Sequence, residues 1–269
     1  MKQYPNIQWV VQRNLTSPGN FEDLQSACNV LNIPFVAIDI IPFASSLPAF
    51  SRERASILYG STTFNYLATQ DEDLRKGIFF DEISFSIENY ISKWGQHMLN
   101  GDATITTFKE LIESNKYPAD KQLFIRPNDD SKSFAGEVKA FGEIARWYEQ
   151  LKAVENTNLT PDSPIVAGEP YNIAAEWRLW IVNKEVVAAS KYREYFRLKK
   201  EEGCPDPVKA FAEARCREYA PHDVFVMDIC LCGDTYYIVE CGSMNGAGFY
   251  NARIEDIVEA VSGYFVGVV

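Results

Sequence analysis

The stretch that most constrains this chain is residues 224–250, VFVMDICLCGDTYYIVECGSMNGAGFY. Two apolar, β-prone runs are joined by the turn signal Gly233-Asp234 and followed by a Gly-rich loop. Each run is interrupted by one acid, Asp228 in the first and Glu240 in the second. A hairpin with a three-residue loop centred on Asp234 sets Asp228 directly opposite Glu240, with Cβ atoms roughly 4.5–5.5 Å apart. A two-residue loop breaks that pairing. Carboxylates that close repel each other, and a divalent cation relieves the repulsion. One or two carboxylates completed by phosphate oxygens describe a Mg²⁺ site. The glycines of GSMNGAG, residues 242–248, leave backbone N–H groups open to an anion. The competing reading is a surface hairpin with two solvated acids. Acids set inside apolar strands weigh against it, because buried carboxylates are rarely unpaired.

The rest of the chain must supply a core around this hairpin, and 269 residues with 46% hydrophobic and 13% aromatic content can do so as one large or two small domains. A net charge of −11 argues against an extended nucleic-acid surface. No run approaches the ~18–20 apolar residues of a membrane span. The first residues, MKQYPNIQWVVQRN, lack a signal-peptide core. The expected compartment is therefore the cytoplasm, with no membrane partner. The six cysteines are scattered, and the Cys230, Cys232, Cys241 and His222 spacing matches no common zinc pattern.

In chain order, residues 7–12 read as a strand, 21–31 as a helix and 35–41 as a second strand, which is the βαβ pattern of a parallel sheet. Residues 55–59 form a third strand ending in Gly60-Ser61-Thr62-Thr63, either an anion-holding turn or an ordinary helix cap. A helix over 63–69, a strand over 77–80 and a helix over 87–99 follow. The breaker cluster Leu99-Asn100-Gly101-Asp102 places a domain boundary, giving residues 1–104 and 105–269. Beyond it come a helix over 106–113 and a strand over 122–127 that ends in Arg126-Pro127. A polar loop over 128–136 carries Lys132, a helix spans 138–151, and a short strand ends at Gly168-Glu169-Pro170. A second hairpin covers 175–192 with its turn at Asn183-Lys184. A two-residue loop there sets Glu176 opposite Lys191 and Arg178 on the same face. The last helices lie over 208–219 and 254–265.

Arg126, Arg178, Lys191 and Lys132 are thus basic groups at strand ends or on a loop, and Asp228 and Glu240 face each other. A triphosphate held by Arg and Lys needs Mg²⁺ for its remaining charge, and Mg²⁺ needs carboxylates. The set suits a nucleoside triphosphate, yet no GxxxxGK[ST] and no kinase motif set occurs. FIRP at 124–127, EWRLWIV at 176–182, the Asp228 strand and VECGSMNGAGFY at 239–250 resemble the ATP-grasp superfamily. Within it they are similar to the clade of small ATP-grasp proteins of bacteria and their phages, with Arg at the usual first-lysine position. The motifs cover roughly residue 123 onward; the N-terminal part resembles the α/β domain that precedes this fold.

The resemblance implies an ATP-grasp fold preceded by a small parallel α/β domain, and an ATP-dependent ligase joining a carboxylate to an amine or thiol through an acyl phosphate. The partners would be ATP, Mg²⁺ and carboxylate and amine substrates that the sequence does not name. Arg126 would contact ATP phosphate, under a cover formed by residues 128–136 with Lys132. Glu169 would sit in the hinge beside adenine or ribose. Arg178 and Lys191 would face the phosphates or the acyl phosphate as the catalytic groups. Asp228 and Glu240 would hold Mg²⁺. The family usually reads Glu-x-Asn, and here Gly242 takes the Asn position; Asn245 would substitute as an oxygen ligand on metal and nucleotide. The other implied readings are a phosphotransferase acting on a small molecule and a nucleotide-binding module without chemistry, which Gly242 favours.

Overall fold

A computed structural model of the protein describes residues 4–41, 43–129, 133–154 and 158–269. Its architecture follows three sheets. The first is parallel, with β1 (Ile7–Gln12), β2 (Phe35–Ile38) and β3 (Ala55–Tyr59) in the order β2-β1-β3. The chain crosses between strands through α1 (Pro18–Val30) and leaves β3 into α2 (Thr62–Thr69), capped by Ser61, whose hydroxyl accepts from Phe64 N–H at 3.2 Å. Every residue of β1 is buried, as expected for a parallel strand covered on both faces. A short α3 (Glu72–Arg75) and α4 (Ile87–Trp94) follow.

The strand expected over 77–80 is absent; the segment runs irregularly beside β3. Only Leu58 N–H reaches it, at Gly77 O. A Cβ at Gly77 would lie 1.9 Å from Ser56 O, so only glycine permits this approach. The amide of Asn245 supplies the other bonds. Its Nδ2 donates to Gly77 O and Leu58 O, and its Oδ1 accepts from Phe79 N–H at 2.7 Å. One side chain has taken the place of a ladder.

The second sheet orders β4 (Thr104–Thr107), β7 (Pro164–Gly168), β5 (Gln122–Pro127) and β6 (Glu137–Ala140) as β4-β7-β5-β6. It packs α5 (Phe108–Glu113) and α6 (Phe141–Ala153) around Phe108, Ile125, Ile144 and Ile165. The helices expected to start at 106 and 138 begin later, because β-branched Thr104–Thr107 pair with β7 and residues 137–140 with β5. Thr107 then closes a capping box with Glu110.

The third sheet is antiparallel and holds β8 (Ile173–Val182), β9 (Glu185–Glu194), β10 (Arg197–Glu202), β11 (Val224–Cys232) and β12 (Thr235–Gly242) in the order β10-β9-β8-β11-β12. Its alternation buries one face on α4 and α7 (Asp206–Glu218). The other face meets α8 (Ile254–Val266) and the first sheet, where Trp180, Val182, Val224 and Val226 share a core with Trp9, Leu24 and Ile57. The first and third sheets are thus packed together. Among the described residues, no helix is long and apolar enough to cross a membrane.

Candidate nucleotide and metal site

Asp228 lies opposite Glu240 on β12 and opposite Arg178 on β8. The pairing of the acids matches the sequence expectation, but the route to it differs. The turn is a two-residue Gly233-Asp234 loop with Gly233 at φ 59°, and Cys232 pairs with Thr235. An extra residue on β12 between the partners of Ile229 and Asp228 forms a bulge that restores the facing pair.

Four charges therefore run in a row. Arg178 grips Asp228 bidentately, Nε on Oδ1 and Nη2 on Oδ2, both at 2.8 Å. On the far side, Arg126 comes in from β5 and its Nη2 pairs with Glu240 Oε2. Its Nη1 lies 3.4 Å from Val239 O, and its Nε is buried without a hydrogen-bond partner. Burial pushes the Asp228 carboxyl up, against the pull of Arg178 downward, and Glu240 adds to the upward shift. Burial acts to lower the Arg178 value, but the charge and hydrogen bonds of Asp228, with smaller contributions from Tyr250 and Tyr192, together outweigh it and hold the guanidinium charged.

A second tier supports this row, and the sequence reading did not find it. Tyr192 Oη donates to Glu176 Oε2 at 2.7 Å and lies 3.4 Å from Asp228 Oδ2. Glu176, 3% exposed, also accepts from Arg193 Nη1 at 3.0 Å. Tyr192 stacks on Tyr250 at 4.8 Å, and the Arg178 guanidinium lies 5.2 Å from the centre of the Tyr250 ring. Tyr250 holds φ at 54°, a left-handed conformation that a bulky residue adopts only under constraint. The sequence signal was the aromatic ending of the Gly-rich stretch, which carries no register.

The expected pairing of Glu176 with Lys191 does not form. Two bulges in the β8–β9 hairpin shift the register, so Glu176 faces Arg193, Trp177 faces Lys191 and Arg178 faces Ser190. Lys191 instead pairs with Glu194 at 3.2 Å and Glu201 at 2.5 Å, the latter on β10. Glu169 follows β7 and pairs with Lys121 at 2.7 Å. Lys132 lies outside the described residues. Asn245, a ligand candidate from sequence, is fully buried, and its amide is occupied by the three backbone groups above and by Ser243 Oγ at 3.0 Å. That occupation gives it a structural task, fastening the Gly-rich loop to the first sheet, and removes it from the ligand set. The loop also spends N–H groups internally, Asn245 on Ser243 Oγ and Ala247 on Met244 O.

The row opens into a cavity of about 720 Å³. Its floor carries Arg178, Asp228 and Glu240; α2 forms one wall and Asp81 with Glu82 another. Asn65 Oδ1, on the α2 wall, is buried without a partner. Ser84 N–H donates to Asp81 at 2.7 Å and holds its carboxyl below the usual range. At Gly242 an added Cβ would meet only Val226 Cγ2, at 3.5 Å, so the position has room for a side chain.

The fold and this row define an ATP-grasp architecture, and the comparisons agree. Residues 68–261 match the family described as ATP-grasp domain, R2K clade family 3, and the chain belongs to it. The fold is similar to that of a RimK domain ATP-grasp protein from Sphaerobacter thermophilus DSM 20745, with a TM-score of 0.63 at 11% identity over 97% of this chain and 100% of that one. It is also similar to the D-alanine–D-alanine ligase from Bacillus anthracis complexed with ATP, with a TM-score of 0.57 at 11% identity over 98% of both chains. A third similar structure is the ATP-grasp ligase PsnB complexed with minimal precursor, Mg and ADP, with a TM-score of 0.56 at 12% identity over 96% of this chain and 98% of that one. No curated protein sequence matches the chain.

Proposed function

We propose that this protein is an ATP-dependent ligase that joins a carboxylate to an amine through an acyl phosphate. The observation that carries the reading is the row Arg178, Asp228, Glu240, Arg126, whose first three members line the cavity and whose fourth pairs with Glu240. Family membership and the ligases of like fold support it.

The donor set fits Mg²⁺. Two facing carboxylates offer hard oxygens, and a Mg²⁺ ion completes its shell from phosphate and water. Among the described residues no cluster of three or more His, Cys, Asp or Glu could hold a metal, so the set is the sparse one Mg²⁺ tolerates. Asp228 and Glu240 would hold the ion, which would neutralise phosphate charge in the transition state. Arg126 has a buried Nε in want of an acceptor, and with Arg178 it would bind the phosphates. Lys191 would have to leave Glu194 and Glu201 to join them. Glu169, which follows β7, would face the base or ribose, and Lys132, outside the described residues, would be a further phosphate contact. Residues 105–269 would hold the nucleotide, and residues 1–104 would contribute the acceptor wall.

In the first step a carboxylate oxygen attacks the γ-phosphorus, the bond to the β,γ-bridging oxygen breaks, and ADP leaves with that electron pair. In the second step an amine nitrogen attacks the acyl carbon. The C–O bond to phosphate breaks, inorganic phosphate departs with the pair, and the nitrogen gives up a proton. Asp81 and Glu82, with no Lys or Arg within ion-pair reach among the described residues, favour an amine that arrives as a cation. Gly242, where the family has Asn, favours a second reading, a nucleotide-binding module without turnover.

Hydroxylamine trapping tests the proposal. Incubation with ATP, Mg²⁺ and a panel of amino acids and short peptides should give ADP and an acyl hydroxamate only with a suitable carboxylate, and Arg178→Lys should abolish both. ADP release that ignores carboxylates contradicts the ligase; ATP binding without ADP release from any panel member selects the module.

A further inference from the structure

Both carboxylates proposed to hold Mg²⁺ already have cationic partners. Asp228, its side chain 4% exposed, is closed by the bidentate Arg178 grip. Glu240 is closed by Arg126. A hydrated cation cannot reach Asp228 without displacing Arg178, which is itself braced on the Tyr250 ring. The Arg126 pair is less complete, with its Nε buried and unpartnered.

We propose that Arg126 and Arg178 act as built-in counter-ions that make metal binding conditional on nucleotide. The proposal rests on the nucleotide reading of this site. A divalent cation arriving alone would eject two guanidinium groups, leave them beside a new double charge and offer them no acceptor. A triphosphate offers acceptors in the planar geometry that guanidinium prefers. Nucleotide alone would draw the arginines off and leave two facing carboxylates beside the phosphates, which repel one another. Each ligand therefore removes the obstacle to the other, and the coupling is reciprocal. Tyr192 and Glu176 keep Asp228 in place while the exchange occurs.

The test uses Mn²⁺ as probe, followed by electron paramagnetic resonance on the full chain without nucleotide. Wild type should bind Mn²⁺ weakly. Arg126→Gln, which spares the buried Asp228 pair, should bind it at least about tenfold more tightly, within the range usual for coupled sites. Adding Glu240→Gln to that variant should cancel the gain. Equal affinity in wild type and Arg126→Gln overturns the proposal, as does a gain that survives Glu240→Gln. Tight Mn²⁺ binding by wild type alone overturns it without any variant. Failure of the underlying nucleotide reading shows separately, as a wild type that takes up no ATP even with Mg²⁺ present.

Discussion

Arg178 and Arg126 each close one of two carboxylates that face each other across a single hairpin, yet the two pairs are built differently. The Arg178–Asp228 pair lies inside the sheet, with side chains 15% and 4% exposed, two bonds of 2.8 Å, and Tyr192 and Tyr250 packed around it. The Arg126–Glu240 pair spans two sheets, leaves Glu240 33% exposed and leaves a guanidinium nitrogen unpaired. The first is the tighter joint, held inside the protein; the second is the looser one and would open first. The same ion pairing resists exchange where it is buried and bonded twice, and yields to it where it is accessible and bonded incompletely.

The largest effect that can break this comparison is on stability. Arg178→Ala leaves a buried carboxylate without its partner and should cost about 3–5 kcal/mol. Arg126→Ala should cost about 1 kcal/mol or less, because Glu240 can turn to water. Urea unfolding of both variants against wild type reads the two values; equal losses would mean that the pairs are not different in kind.

A smaller effect separates both pairs from a third titrating group. Burial lowers the His222 imidazole below its ordinary value, against the opposing pull of Asp223 and Asp81. Its Nδ1 accepts from Val224 N–H at 3.0 Å, which requires the neutral ring. The unfolded chain thus takes up this proton at a higher pH than the folded one. Stability is complete above about pH 6.5 and declines as pH falls through that value toward the lower folded one. Unfolding free energies measured across this window should fall less steeply in His222→Gln. An unchanged slope would place the titration elsewhere.

Much of the site was legible in the sequence because acids inside apolar strands are costly and must be matched. Asp228 and Glu240 face each other as that reasoning expects; the placing of Arg178 and Arg126 beside them in one row comes from the sheet pairing and the approach of β5, which the sequence did not show. What stayed hidden was the bulges. The acids face each other because a short turn and a bulge compensate, and residue spacing cannot distinguish that from a longer loop. In the β8–β9 hairpin two bulges shift the register, and Lys191 faces Trp177 where Glu176 was expected. The resemblance offers Asn245 as a ligand because Gly242 takes the family's usual Asn position and Asn245 lies three residues on. Its buried amide instead answers backbone groups nearly two hundred residues away in sequence, a demand that no local pattern records.

The most direct measurement is calorimetric titration of ATP with and without Mg²⁺, on wild type and on Glu240→Gln. Binding to wild type should need Mg²⁺ and be strongly weakened by the substitution. ATP that fails to bind under either condition, or binds equally well without Mg²⁺ and to Glu240→Gln, would contradict a Mg²⁺-dependent nucleotide site.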